Sequence, residues 1–308
     1  MKLRTLTAAL LLTSGMNAFA DDPSCATVNL TDPGWTDINA TNGLMSVVLK
    51  GLGYTPNVQT LAVPIGFEGL KSGEIDVFLG NWMPAQSSFI EKYSKDNGIK
   101  VIKTNLTGAK FTLAVPSYVY EAGVKDFADL AQFEDQFDGK IYGIEAGAPA
   151  NQLLQKMIDK GDFDLAEWSL VESGEQGVMS QVKRAVKREK FIVFLGWEPH
   201  PMNTQIKMNY LTGGDEYFGP DFGGATVQTV TRNGFSTDCP NLGSLLENVS
   251  FTLNMENQVM NGILEEGLTP EDAALTWLKA NPTVLEAWLD GITTLDGQPG
   301  LAAVQKSL

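Results

Sequence analysis

The 308-residue chain is long enough for two domains at roughly 100–200 residues each. Its 43% hydrophobic and 19% charged residues are typical of a globular protein. The formal net charge of −15 excludes the basic surface that nucleic-acid binding requires, so we expect no nucleic-acid partner. The same charge favours a cationic or neutral ligand over an anion, although solubility alone also explains it.

The first twenty residues, MKLRTLTAALLLTSGMNAFA, have the three parts of a secretory signal peptide. Lys2 and Arg4 form a positive start, residues 6–12 form a short apolar run, and AFA at 18–20 is a small-residue cleavage site. We predict cleavage after Ala20 and a periplasmic location. No later stretch has about 18 consecutive apolar residues, so we expect no membrane span.

From residue 28 to residue 98, short apolar strands alternate with amphipathic helices. Apolar residues at helical spacing that end at a glycine indicate the helices, and short apolar runs between turns indicate the strands. The order β-α-β-α-β is typical of an α/β unit with a parallel sheet. The predicted strands are 28–30, 58–64 and 75–80, and the predicted helices are 42–54, 66–71 and 89–98.

A second α/β unit starts at residue 111, and the pattern changes again after residue 210. A strand at 225–235 and three helices then follow, the last broken at Pro282. The second unit has predicted strands at 111–119, 140–147, 168–173 and 191–201 and predicted helices at 126–137, 150–161 and 175–190.

The sequence therefore predicts two α/β lobes, the first built from both ends of the chain. The signal peptide is assigned to 1–20, lobe one to 21–109 and 211–308, and lobe two to 110–210. The chain then crosses between the lobes near 108–111 and near 205–215. Two discontinuous lobes with two crossings form a hinge around a cleft.

The chain has two cysteines, Cys25 and Cys239, and one histidine, His200. In an oxidising compartment an isolated pair of cysteines favours a disulfide, and two buried thiols are the alternative. A bond would place residues 25 and 239 in one lobe. Because one histidine and two cysteines are a poor set for a zinc site or a Cys-His nucleophile, we predict no metal, no cofactor and no catalytic residue. His200 beside Glu198 is given a structural role.

Two apolar strands end in nearly the same phrase, VFLGNWMP at 77–84 and VFLGWEPHP at 193–201. Each phrase places a tryptophan, Trp82 or Trp197, at the carboxyl end of its strand. Trp35 likewise follows the first predicted strand. Because ligands of open α/β sheets bind beyond these ends, we expect the tryptophans to face one another across a cleft.

Several aromatic faces beside one carboxylate suit a quaternary ammonium ion. Such an ion has no N–H to donate, and its charge is spread over methyl groups that match the negative π face of an indole. Each contact contributes about 0.5–2 kcal/mol when desolvated. Asp37 would supply a counter-charge or accept a hydrogen bond from a ligand hydroxyl. Packing between the lobes and carbohydrate stacking are the alternatives for the same aromatics.

The motifs DPGWTDI, DVFLGNWMP and VFLGWEPHPMN closely resemble those of the glycine betaine/choline substrate-binding family of ABC importers. The resemblance covers essentially the whole mature chain, both cysteines included. It implies a type II periplasmic binding protein: an α/β, two-lobed clamshell with discontinuous lobes and two hinge crossovers. Such a protein is a monomer that closes on its ligand and presents it to a membrane permease. By motif position, the aromatic cage would be Trp35, Trp82 and Trp197, with Asp37 on the hydroxyl of choline.

Two positions depart from the choline-binding pattern of this family. Phe111 in FTLAVP stands where the family has a tyrosine, and Ala148 in GAPAN stands where choline-binding members have an asparagine. Both changes remove polar contacts but leave the cage for a cation. Choline is the predicted ligand, because Asp37 would repel the carboxylate of glycine betaine. Glycine betaine, trimethylamine N-oxide, carnitine and acetylcholine stay open as ligands, and a secreted enzyme acting on choline esters is the alternative of another class.

Overall fold

The computed structural model describes residues 21–95 and 97–308, so the predicted signal peptide at 1–20 lies outside the described residues. The nine strands of the described part form one sheet. They are β1 (Thr27–Asp32), β2 (Thr55–Thr60), β3 (Val77–Met83), β4 (Ile99–Pro116), β5 (Lys140–Tyr142), β6 (Ser169–Val171), β7 (Val193–Glu198), β8 (Met208–Tyr210) and β9 (Gly224–Arg232).

The sheet has two halves, which are joined by the long strand β4. Its order is β2-β1-β3-β9-β4-β7-β5-β6, and β8 also pairs with β4. In the first half (β1, β2, β3 and β9), β1 runs parallel to β2 and β3. In the second half (β5 to β8), β5 runs parallel to β6 and β7. The predicted parallel sheets are present, but β4 and β9 are antiparallel to each other and to their outer neighbours, because the chain crosses once in each direction.

Strand β4 is one of the two connections between the halves. It pairs with β9 from Ile99 to Lys110 and with β7 from Lys110 to Ala114. The sequence predicted a strand only from residue 111 onwards. Register shifts before Ala109 interrupt the alternation of side chains, so the earlier part of β4 has no regular period of two. The chain returns to the first half between β8 and β9.

Helices pack on both halves, and the cores lie between helices and sheet. Phe67 and Phe78 meet edge to face in the first half, while Phe127 and Phe194 are fully buried in the second. The described helices are α1 (Thr36–Gly51), α2 (Val63–Ser72), α3 (Ser87–Ser94), α4 (Ser117–Glu121), α5 (Glu134–Phe137), α6 (Pro149–Lys160), α7 (Glu175–Lys187), α8 (Met202–Gln205), α9 (Asp215–Phe218), α10 (Pro220–Gly223), α11 (Phe235–Asp238), α12 (Pro240–Asn248), α13 (Leu253–Leu264), α14 (Pro270–Ala280), α15 (Val284–Trp288) and α16 (Gly300–Ser307).

Helix α1 begins at Thr36 rather than at the predicted residue 42. It is buried on nearly every face from Thr36 to Leu49, so no amphipathic period marks its first turn. Trp35 is therefore the residue that precedes the helix, and Asp37 lies in its first turn rather than in a loop. The difference matters for the site, because both side chains are then held by a rigid element.

Cys25 and Cys239 form the predicted disulfide, with Cα atoms 5.9 Å apart and 214 residues between them in the chain. The C-terminal helices α13, α14 and α16 pack on α1. The end of the chain thus returns to the helix that follows β1 in the first half of the sheet.

Removal of this disulfide should destabilise the protein without changing its ligand affinity. A cross-link that closes so long a loop restricts the unfolded chain and contributes about 2–5 kcal/mol to the free energy of unfolding. We expect urea unfolding of the Cys25→Ser/Cys239→Ser variant to show a loss of that size. Its affinity should match that of the wild type, since neither cysteine lines the cavity between the halves. Equal unfolding free energies for variant and wild type would contradict this prediction.

Candidate ligand-binding site

A cavity of about 50 Å³ lies between the two halves of the sheet, at the ends of β3 and β7. It exceeds the roughly 10–15 Å³ that a single water molecule needs. Five of the six predicted ligand residues line it, and most of the others on its wall are apolar. The lining residues are Trp35, Asp37, Trp82, Ala85, Gln86, Phe111, Ile144, Pro149, Ala150, Leu195 and Trp197.

The aromatic walls come from both halves and meet at Phe111. On β4, Phe111 pairs directly with Trp197 of β7. Its ring also meets that of Trp82, at the end of β3, edge to face with centroids 6.2 Å apart. Trp82, Trp197 and Phe111 are all buried. The two tryptophans of the repeated phrase therefore lie on one cavity, with a phenylalanine between them.

The indole N–H groups of Trp35 and Trp82 each donate to a carboxylate. Trp82 Nε1 donates to Asp37 Oδ2 at 3.0 Å, within the first half. Trp35 Nε1 donates to Glu145 Oε1 at 2.8 Å, and Glu145 follows β5 in the second half. Because the edges of both rings are fixed, the faces of the rings remain available to a ligand.

The carboxylate beside the cavity lies in a strongly acidic environment. Burial raises the pKa of Asp37 to about 8, and the charges of Glu175 and Asp32 add to the effect, while the hydrogen bond from Trp82 opposes it. Burial also raises the pKa of Asp32 to about 6. The pKa of Glu256, on α13, is raised well above its ordinary value by burial and by the charge of Asp37. A cation in the cavity would relieve this repulsion.

Ala148 is the predicted residue that does not line the cavity. It is buried immediately before α6, whose first residues, Pro149 and Ala150, do line the cavity. Sequence reasoning missed Gln86, which lines the cavity and is fully buried. Its Nε2 donates to the carbonyl of Gly80 at 3.0 Å, and within the described residues its Oε1 has no hydrogen-bond partner. The signal for Gln86 in the sequence was an amide residue shortly after a strand end that carries a tryptophan.

His200 is buried and contacts a carboxylate that the sequence did not single out. Its Nδ1 accepts a hydrogen bond from the backbone N–H of Met202 at 3.0 Å. The other nitrogen, Nε2, therefore carries the proton and donates to Glu175 Oε1 at 3.2 Å. The His200 ring also meets Trp197, with centroids 4.9 Å apart. Glu175 and Glu145 were missed because their partners are distant in the sequence.

Within residues 21–95 and 97–308 no group of three or more His, Cys, Asp and Glu side chains has an arrangement that could hold a metal ion. In the same part of the chain no helix is long and apolar enough to cross a bilayer.

The chain is similar to several known proteins. Residues 26–280 match the sequence model of the OpuAC family, described as the substrate-binding domain of ABC-type glycine betaine transport systems. The glycine betaine/carnitine transport binding protein GbuC of Listeria monocytogenes is 31% identical over 163 residues, 53% of each chain. An uncharacterised protein of Chromohalobacter salexigens is 46% identical over 145 residues, 47% of this chain and 94% of that one.

Solved structures agree with this family. An ABC-transporter choline-binding protein in complex with choline is 51% identical, with a TM-score of 0.91 over 93% of this chain and 99% of that one. An unliganded, semi-closed choline-binding protein is 52% identical, with a TM-score of 0.85 over 92% and 98%. Lactococcal OpuAC, closed on glycine betaine, is 27% identical, with a TM-score of 0.77 over 85% and 98%.

The TM-score is higher against the choline-bound structure than against the semi-closed one. The family resemblance predicted from the three tryptophan-bearing motifs is confirmed, and so is the mixed α/β clamshell that it implied. The chain belongs to the family of substrate-binding domains of ABC-type glycine betaine transport systems and has their type II periplasmic binding protein fold.

Proposed function

We propose that this protein is the periplasmic substrate-binding protein of an ABC importer and that it binds choline between its two lobes. The observation that carries the proposal is the cavity itself, with indole and phenyl rings around it and one buried carboxylate, Asp37. The lobes are 21–109 with 211–308 and 110–210, and the partner is a membrane permease. The protein acts as a monomer and performs no catalysis, in keeping with relatives that are named as transport binding proteins.

The aromatic walls supply the binding energy for the trimethylammonium group. Trp35, Trp82, Trp197 and Phe111 come from four different elements and enclose one space. At about 0.5–2 kcal/mol for each desolvated cation–π contact, together with the burial of the methyl groups, they support micromolar affinity, which needs about 8 kcal/mol. An ammonium ion with N–H groups would need hydrogen-bond acceptors for them, and this wall offers few.

The carboxylate selects a ligand with a neutral tail. Asp37 is buried, and Asp32 and Glu175 add to its repulsion of a second anion. Among the lining residues none is Lys or Arg, so the carboxylate of glycine betaine would have no cationic partner. The hydroxyl of choline, in contrast, is a donor. Asp37 is an acceptor for it, and so is the Oε1 of Gln86, which has no hydrogen-bond partner among residues 21–95 and 97–308. Gln86 thus offers a polar contact. Phe111 and Ala148, which stand at the positions of the family's tyrosine and asparagine, offer none from their side chains.

Calorimetric titration of the purified protein with a ligand panel tests the proposal. We expect a micromolar or tighter dissociation constant for choline and affinities at least about tenfold weaker for glycine betaine and carnitine, a difference of about 1.4 kcal/mol. Trimethylamine N-oxide and acetylcholine complete the panel. Tighter binding of glycine betaine than of choline would contradict the assigned ligand, and release of choline from acetylcholine would contradict a role without catalysis.

A further inference from the structure

Glu175 lies on a helix that connects two strands of the second half of the sheet. Its buried carboxylate forms hydrogen bonds with a residue of the first half. Glu175 is the first residue of α7, and its side chain is 3% exposed. Its Oε2 accepts a hydrogen bond from the backbone N–H of Thr36 at 2.9 Å, and its Oε1 accepts one from the hydroxyl of the same threonine. Both contacts are made across the cleft, between residues 139 apart in the chain.

Thr36, which donates both hydrogen bonds to Glu175, lies between two residues of the cage. Thr36 is the first residue of α1, Trp35 precedes it and Asp37 follows it. The backbone N–H groups of a first helical turn have no partner within the helix, and the positive end of the helix dipole favours a carboxylate there. A bond at Thr36 therefore fixes one aromatic wall and the counter-charge together.

On its other side Glu175 is linked to the opposite wall of the cage. His200 donates to Oε1, and its ring contacts Trp197. His200 is itself held by the backbone of Met202. A continuous set of contacts thus runs from Trp197 in the second half, through His200 and Glu175, to the first turn of α1 in the first half. The bond from Trp35 to Glu145 crosses the cleft beside it.

We infer that Glu175 is a positioning residue that latches the two lobes closed over the bound ligand and so sets the rate at which the ligand leaves. The inference rests on the proposed function in one respect, that the cleft closes on a ligand. The bonds to Thr36 exist only when the halves meet. Their loss should therefore raise the rate at which the cleft opens and the ligand dissociates more than it changes the rate at which the ligand binds. Changes in affinity of this kind are expressed mainly in the dissociation rate.

A matched pair of threonine variants tests the latch. Thr36→Val keeps the shape of the side chain and removes its hydroxyl, whereas Thr36→Ser keeps the hydroxyl. We expect choline to dissociate from Thr36→Val and from Glu175→Gln about tenfold faster than from the wild type, since a hydrogen bond to a charged group is lost or weakened. Stopped-flow tryptophan fluorescence measures the rates, and Thr36→Ser should stay within about twofold of the wild type.

The control variant is Glu172→Gln, which removes a nearby charge without touching the cleft bond. Glu172 accepts a hydrogen bond from Asn151 within the second half, and glutamine preserves that acceptor. Its dissociation rate and the association rates of all variants should match the wild type. Equal dissociation rates for Thr36→Val and Thr36→Ser would overturn the latch.

Failure of the proposed function has a different signature. In that case the wild type responds to no methylammonium compound, and small-angle scattering of the unliganded wild type and of Thr36→Val then tests the latch directly. A larger radius of gyration for Thr36→Val supports the latch, and an equal radius overturns it.

Discussion

Replacement of Trp82 or Trp197 by alanine should weaken choline binding at least about tenfold, or 1.4 kcal/mol, in each case. Each change removes one wall of the cavity and opens the site to water, which weakens the remaining electrostatic attraction as well. The larger effect is expected for Trp82, because its Nε1 also donates to Asp37, and the buried carboxylate then loses that donor.

Two comparisons separate the role of the aromatic face from general damage to the fold. Trp82→Phe keeps a π face and loses the N–H, so its affinity should lie between those of the wild type and Trp82→Ala. Trp277→Ala is the control, since Trp277 bonds Gln258 at the surface and does not line the cavity. Unchanged calorimetric affinity in both Trp82→Ala and Trp197→Ala would refute the cage.

Choline binding should tighten as the pH rises from about 6 to about 8, by close to tenfold per pH unit, and then level off. With a pKa of about 8, Asp37 holds a proton at neutral pH. A quaternary ammonium ion beside it favours the ionised form, so binding releases that proton. The groups that share its surroundings are Asp32 on β1, Glu175 on α7, Glu256 on α13 and, behind Glu175, His200.

Proton release can be measured by titrating choline at pH 7 in buffers of different ionisation enthalpy. Asp37→Asn is the control that separates Asp37 from His200 and the other acids: its affinity should be lower than that of the wild type at pH 8 and nearly independent of pH. Equal wild-type affinities at pH 6 and pH 8, with the same apparent enthalpy in every buffer, would contradict the assignment.

The same titration has an opposite effect on the ligand-free protein. The native state of a carboxyl with a raised pKa binds a proton that the unfolded chain has already lost. The contribution of Asp37 to stability is therefore fully present below about pH 4 and falls as the pH rises through about 8. Choline should offset this loss, because it binds the native state with ionised Asp37.

Local patterns in the chain were sufficient for much of the fold and for the aromatic part of the site. VFLGNWMP and VFLGWEPHP each combine a buried strand with a tryptophan at its end, and that combination is readable within eight or nine residues. The disulfide followed from there being only two cysteines. The long β4 was not predicted as one strand, since its bulges remove the alternation on which a strand prediction depends.

The two tryptophans at strand ends, the accompanying carboxylate and the resemblance to a ligand-binding family were all evident from the chain alone. The polar groups that support the tryptophans became evident only in the folded molecule. Glu175 reaches Thr36 across 139 residues, and Glu145 reaches Trp35 across 110. These bonds join side chains on elements that come together only where the two halves meet, so no periodicity or spacing along the chain predicts them. The tryptophans were visible because a large aromatic at a strand end is unusual by itself, whereas a glutamate at the start of a helix is ordinary until its partner is known.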